Sequence, residues 1–480
     1  MPNPQPRVGR LLRCRLTPLL SSLLLAACAH QPTLPDTPLL QADQLASSQS
    51  LTGARQDSWP VQQWWTRYQD PQLDNLMTQA LADSPSLAVA RARLAQAQGA
   101  ARQAGAVLGP DISASGAITQ QKISYNNGND YVPRDWNTYG SGLLSFNYEL
   151  DFWGKHHAQV AAARSELAAA QAQQADVRRL LTSGLAQAYA ELARLYATRD
   201  TAATALKIRQ ETVTLFQDRQ RNGLETMGSV RQVESLAASA EANMLAIDEA
   251  ISLQRHALAA LVGKGPDWGL SLQRPALALS SRFGLPAAAG VDLLGHRPDI
   301  TAARWQVEAA ASRVGVAETQ FYPNISLSGF IGTQALGLEN LSAAGSSAGG
   351  IGPALYLPLF SSGRLEGQLD SAKAAYEQAV AEYNASLITA LQQVADAVSS
   401  SQALGARLQR TQAAVDAAQQ AYDIANHRYQ GGLANYLDVL SAEQSLLASQ
   451  EQLVNLQARA LALDINLVHA LGGGSQATSS

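Results

Sequence analysis

In the stretch YGSGLLSFNYELDF every second residue is apolar. Leu144, Phe146, Tyr148, Leu150 and Phe152 share one face of an extended chain, while Ser145, Asn147, Glu149 and Asp151 share the other. The same alternation sets Ile325, Leu327 and Ile331 against Asn324, Ser326 and Ser328, and it recurs at Ile351, Leu355, Leu357 and Leu359. Period two sustained over about ten residues predicts strands with one lipid-facing and one wet face. The strands are expected at about 111–121, 139–152, 324–333 and 350–360. Tyr148, Phe152, Trp153, Phe321, Tyr322, Tyr356 and Phe360 gather at their ends, where an interfacial aromatic girdle belongs.

Between the strands the pattern turns helical and rich in Ala, Gln and Leu. From Lys155 to Arg221 there is no proline and one glycine, Gly184, and the run from Arg364 to Gln430 also lacks proline. Helices are expected over about 155–221, 225–262, 364–430 and 434–471. A helix of sixty-odd residues is about 100 Å long, and Ala-rich faces suit close packing on neighbours. The breaks read Arg219-Gln220-Arg221-Asn222-Gly223-Leu224 and Arg428-Tyr429-Gln430-Gly431-Gly432-Leu433. Gly223 and Gly432 supply the positive φ that a tight turn between helices requires.

The two halves are copies. Pro110, Ile112, Ser113, Ser115, Gly116 and Ile118 recur 213 positions on, at Pro323, Ile325, Ser326, Ser328, Gly329 and Ile331. Gly154, Arg219, Gly223, Val230, Glu234 and Gly263 recur 209 positions on, at Gly363, Arg428, Gly432, Val439, Glu443 and Gly472. The offset changes once, between the two strands, where a loop tolerates it. The repeats are placed at 71–263 and 291–473, with a linker at 264–290 and a tail at 474–480. Two hairpins make four strands. An open edge cannot sit in lipid, and a closed barrel needs about eight strands or more, so several copies must contribute. Two or more copies satisfy the argument; twelve strands from three chains is the favoured reading, though sequence alone does not force it.

Composition narrows the class. Charged residues are 15% and the net charge is −4, without the basic surplus of a nucleic-acid binder, so no nucleic-acid partner is expected. Arg7, Arg10, Arg13 and Arg15 precede the apolar run LTPLLSSLLLAAC, which reads as an export signal over 1–27. Leu25-Ala26-Ala27-Cys28 is a lipobox, so Cys28 is expected to carry a diacylglycerol and an N-acyl lipid and to anchor the segment 28–70. Ala29, in place of an Asp, points to the outer membrane. Cys14 lies in the part removed, leaving no disulfide. No later segment is apolar over 18 consecutive residues, so any crossing is made by strands. No P-loop, HExxH or GxSxG occurs, and His156-His157 lacks metal-ligand spacing, so neither enzyme activity, metal nor further cofactor is expected.

The chain resembles the TolC-like outer-membrane efflux proteins, in their NodT-type lipoprotein branch. The resemblance rests on LAAC, WWTRYQDPQLDNL, ELDFWGK, HRPDI, FYPNISLSGFIG, LPLFSSGR and RYQGGLANYLDVLSAEQSL, in that order on a duplicated chain. It implies a mixed α+β membrane protein of two tandem repeats, each a β-hairpin with long helices. It also implies a homotrimer with a twelve-stranded β-barrel in outer-membrane lipid, continued by an α-helical periplasmic tunnel. Partners would be a periplasmic adaptor and an inner-membrane pump of RND type, and the chain itself a passive duct for small amphipathic compounds. Docking to the adaptor would fall on Arg221, Asn222, Gly223, Leu224, Gln430, Gly431, Gly432 and Leu433. The periplasmic gate would draw on Tyr422, Asp423, Asn426, Arg428 and Tyr429, with Asn426 standing where some relatives have an acid. Alternatives are the outer component of a type I protein secretion system and a lipid-anchored coiled-coil scaffold.

Overall fold

A computed structural model describes residues 33–41, 44–46, 49–52, 57–124, 126, 135–277, 284–286 and 295–475. Cys28 and the leader lie outside them. After a short 3-10 turn at Trp64–Tyr68 come α1 (Pro71–Asp83), α2 (Pro85–Ala106), β1 (Asp111–Lys122), β2 (Trp136–Leu150), α3 (Lys155–Arg221) and α4 (Met227–Val262). The second repeat supplies α5 (Pro298–Thr319), β3 (Asn324–Leu336), β4 (Ser347–Tyr356), α6 (Arg364–Gln430) and α7 (Tyr436–Ala470). The chain divides into two compact units. One gathers Met1–Pro38, Ala95–Ala168 and Arg304–Ala381, and the other Leu39–Leu94, Ala169–Ala303 and Glu382–Ser480.

The first unit holds one antiparallel sheet in the order β1-β2-β3-β4, so a β2–β3 ladder joins the hairpins of the two repeats. Paired residues project to the same side of a sheet, and the register sorts them cleanly. Ile112 faces Phe146, Leu144 faces Ile331, Tyr148 faces Leu327, Leu150 faces Ile325, and Ile325 faces Leu355. On the reverse side Ser113 meets Ser145, Asn147 meets Ser328, Glu149 meets Ser326, and Ser326 meets Ala354. Among the described residues nothing covers the apolar side: Ile331, Ile351 and Leu355 are 67%, 77% and 69% exposed.

β4 runs from Ser347 to Tyr356, earlier than the 350–360 expected, because Leu357-Pro358 cannot continue the ladder. Pro353 is tolerated because β4 is an edge strand. β2 likewise starts at Trp136 rather than 139 and stops at Leu150. The girdle residues split. Trp153 stacks on Tyr322 at 5.0 Å and its Nε1 donates to the Pro323 carbonyl at 2.8 Å, while Phe152, Phe321 and Phe360 are exposed.

In the second unit the repeats close identically. Gly263 after α4 and Gly472 after α7 have φ of +79° and +97°. A Cβ on Gly263 would meet the Asp83 carbonyl at 2.7 Å, and one on Gly472 would collide with the carbonyl of His296, the matching residue. Only glycine fits there. The buried Arg297 of HRPDI ties this closure together: it pairs with Asp299 at 2.6 Å and donates to Gln393 Oε1 at 2.8 Å and to the Ala470 carbonyl at 3.1 Å. The WWTRYQDPQLDNL stretch has a structural role too. Asp70 caps α1 through the amides of Gln72 and Leu73 and accepts from Tyr189 Oη at 2.9 Å, while Tyr68 Oη donates to Asp464 at 2.8 Å.

Candidate functional site: the helical tips

The two helix breaks lie in the second unit and are built alike. Behind α3 the amides of Gly223 and Leu224 donate to the carbonyls of Gln220 and Arg219. Behind α6 those of Gly432 and Leu433 donate to Tyr429 and Arg428. This is the Schellman closure, with Gly223 and Gly432 at φ +71° and +72°. Thr226 caps α4 by accepting from the Ser229 amide, and Asn435 caps α7 by accepting from Asp438. Each turn leaves a leucine outside: Leu224 is 65% and Leu433 74% exposed. Met227, Ile424 and Leu437 are exposed nearby.

Behind the leucines the hairpins share one core of Phe216, Val230, Val233, Tyr429 and Val439, flanked by Tyr422 and Tyr436. The Phe216 and Tyr436 rings meet at 4.4 Å, and Tyr429 lies 5.8 Å from Tyr436. Tyr429 Oη donates to Glu225 Oε1 at 3.2 Å, Arg219 pairs with the same carboxylate at 3.6 Å, and the guanidinium sits 5.0 Å over the Tyr429 ring. Burial pushes the Tyr429 phenol up to about 12, with Arg219 opposing the shift and Glu225 adding to it. Tyr429 is therefore a neutral donor under any physiological condition. Deeper in, Arg209 of α3 pairs with Glu443 of α7 at 3.2 Å; burial raises the Glu443 pKa and Arg209 only partly offsets it.

The expected docking residues Arg221, Asn222, Gly223, Leu224, Gln430, Gly431 and Gly432 all sit on the exposed turns with Leu433. The gate residues separate. Asp423, Asn426 and Gln430 form a polar strip on α6, where Gln419 donates to Asp423 at 2.9 Å and Gln430 to Asn426 at 3.4 Å. Arg428 is exposed, Tyr422 is half-buried and Tyr429 is buried in the shared core. Glu225 and Phe216 went unread in the sequence. Their one signal is position, Glu225 directly after Gly223-Leu224 and Phe216 one turn before Arg219-Gln220-Arg221.

A two-sided sheet with open edges, together with paired helical hairpins ending in exposed leucines, defines a membrane-channel subunit that crosses lipid by strands. Among the described residues no helix is long and apolar enough to cross. The model of the outer membrane efflux protein family matches residues 76–264 and again 290–473, one match per repeat. The chain is 55% identical to the outer membrane protein VceC of Vibrio cholerae, whose crystal structure superposes with a TM-score of 0.82 over 87% of this chain and all of that one. It is 36% identical to the fusaric acid resistance protein FusA of Burkholderia cepacia over 75% of this chain and 69% of that protein. Against the multidrug resistance outer membrane protein MdtP of Shigella flexneri the identity is 31% over 98% of both chains. The chain belongs to the outer membrane efflux protein family. It is an outer-membrane protein of efflux, in a family of channels rather than enzymes.

Proposed function

We propose that this chain is the exit duct of a tripartite efflux system, a homotrimer whose three sheets close one twelve-stranded barrel. The carrying observation is the sheet itself, which among the described residues has an uncovered apolar face, a polar reverse face and two unpaired edges. Such a sheet is stable in lipid only when copies pair edge to edge, and the polar faces then line a wet lumen. The long helices continue that lumen as a tunnel. Small amphipathic compounds enter from an inner-membrane pump of RND type through a periplasmic adaptor, and the duct itself is passive. The relatives' names, fusaric acid resistance and multidrug resistance, favour small compounds over secreted proteins.

The lipid anchor fits the same reading. The amide of Thr33, five residues after Cys28, donates to Glu318 Oε1 at 2.9 Å, near the end of α5 and just before β3. A diacylglycerol and N-acyl chain on Cys28 would thus be tethered within about 17 Å of Thr33, the reach of five extended residues. The tips dock the adaptor through Leu224 and Leu433. The gate belongs to Asp423 and the half-buried Asn426 on the polar strip of α6 together with the exposed Arg428, while Tyr422 and Tyr429 hold the hairpins together behind them.

Planar-bilayer recording of the purified acylated protein tests this. The wild type should give small discrete conductance steps, larger in Asp423→Ala/Arg428→Ala. A conductance unchanged by the double substitution removes the gate from this strip, and a trimer that never conducts removes the duct.

A further inference from the structure

A cavity of about 530 Å³ opens in the second unit between α3, α6 and α7, a size ordinary for a small-molecule site. Gly184 and Gln187 of α3, Gln393 and Ser400 of α6, and Asn466 and His469 of α7 line it. All three helices turn the opposite face to the N-terminal segment. Tyr189 of α3 bonds to Asp70 and Asp464 of α7 to Tyr68, whereas Gln187 and Asn466 stand two positions away, about 200° round their helices. On α6, Asn384 accepts from the Leu40 amide and Gln402 donates to the Thr52 carbonyl, each about 180° round from Gln393. In a duct, the side wrapped by the N-terminal segment is the outer wall, so the cavity opens on the lumen.

Its wall is fixed from behind. Arg297, which can only donate, bonds to Gln393 Oε1 at 2.8 Å and leaves the amide nitrogen over. Arg179 lies 3.0 Å from His469 Nε2, and Nδ1 lies 2.9 Å from the hydroxyl of Ser183, which donates to the Arg179 carbonyl. His469 is thus a neutral ring with both nitrogens engaged. Gln187 Nε2 donates to Asn466 Oδ1 at 2.6 Å. Among the described residues Gln187 Oε1, Asn466 Nδ2, Gln393 Nε2 and Ser400 Oγ have no hydrogen-bond partner. They offer an acceptor, two donors and a hydroxyl to whatever enters, beside the apolar Leu180 and Leu463. The acid of the cavity, Asp396, is exposed and accepts from Gln392 at 3.4 Å.

Gly184, the one glycine of α3, stands here with open space where a Cβ would be. A glycine inside a helix costs stability, and what it gives at this place is the depth of the cavity. The matching position of the second repeat, 209 residues on, holds Gln393 of the same wall.

We propose that this cavity is a side site in the tunnel wall for neutral amphipathic compounds. Their amide or hydroxyl groups lie on Gln187, Gln393, Ser400 and Asn466, and their apolar part on Leu180 and Leu463. The site rests on the duct reading above. It selects by hydrogen bonding and shape rather than by charge, and it binds weakly, because a duct must release its cargo.

Chloramphenicol, which is neutral and carries an amide, two hydroxyls and an apolar ring, is the probe. Gly184→Cys places a thiol on the cavity wall, where the open space lets α3 keep its course. In the purified trimer, reconstituted in lipid, that thiol should react with iodoacetamide, with the wild type labelled in parallel as background. Chloramphenicol should slow the reaction, half-maximally on the order of 1 mM. Ser400→Cys, a nearly isosteric change on the α6 side, should behave alike. Adding Asn466→Ala should weaken the protection roughly three- to tenfold. Raising the salt from about 0.1 to 1 M should leave it unchanged. Ser347→Cys, at the start of β4, should react without protection.

A trimer whose Gly184→Cys and Ser400→Cys thiols stay unreactive has the cavity covered by another copy, which overturns the site and leaves the duct standing. Reaction without protection, or equal protection at Ser347→Cys, overturns it as well. Protection that falls steeply with salt moves recognition to the charge of Asp396 and overturns the neutral class. A wild type that is monomeric in lipid overturns the duct reading beneath the site.

Discussion

Leu224 and Leu433 illustrate what single residues contribute here. Both are held outside the fold by a Schellman turn, so neither stabilises the chain that carries it. Leu224→Asp and Leu433→Asp should therefore leave thermal stability within about 0.5 kcal/mol of wild type. Drug susceptibility of cells should rise sharply in each if the tips dock an adaptor, read as minimal inhibitory concentration at equal protein level. His469 is the opposite case. It lies between Arg179 and the Ser183 hydroxyl, 2.9 Å from the latter, and burial, with Arg179 and Arg297 adding, lowers its pKa to about 4. The unfolded chain takes up this proton near pH 6.5, before the folded one does. The contribution of His469 to stability is thus full above about pH 6.5 and is lost as the pH falls toward 4. The melting-temperature gap between wild type and His469→Gln should narrow over that interval. A gap constant with pH would contradict the buried neutral imidazole.

Glycines carry opposite consequences at the scale of elements. Gly184 interrupts α3 with open space around its missing Cβ, so Gly184→Ala should stabilise by about 1 kcal/mol through helix propensity. Gly472→Ala would drive a Cβ into the His296 carbonyl at a left-handed φ and should destabilise by several kcal/mol, visible in chemical denaturation of the purified protein. The long helices were legible because proline is absent from 155–221 and 364–430 and Gly223 and Gly432 mark their ends. The strands were legible from alternation alone, and the register places Leu144 and Ile331 on one side and Ser145 and Asn147 on the other. Strand ends were less so, because Leu357 and Leu359 continue the period after Pro358 has stopped the ladder. The tip core was hidden for a different reason. Phe216 and Glu225 come from the first tip and Tyr429 and Tyr436 from the second, and no local pattern records that the two tips share a core.

Taken whole, the molecule is a duplication whose copies have drifted toward different tasks. The first repeat's tip turn supplies Glu225 and Arg219, and the second supplies Tyr429, so the two halves are fastened by unlike residues at matched places. Yet among the described residues neither half, nor both together, completes what the sheet begins, since the outer edges of β1 and β4 have no partner strand and the apolar face is uncovered. Completion has to come from other copies of the chain. The native mass of the protein, extracted from outer membranes in mild detergent, tests this most directly. The account predicts three times the mass of one mature chain, a trimer that survives until its strands are unfolded. A monomer that keeps its sheet in detergent and in lipid would contradict it.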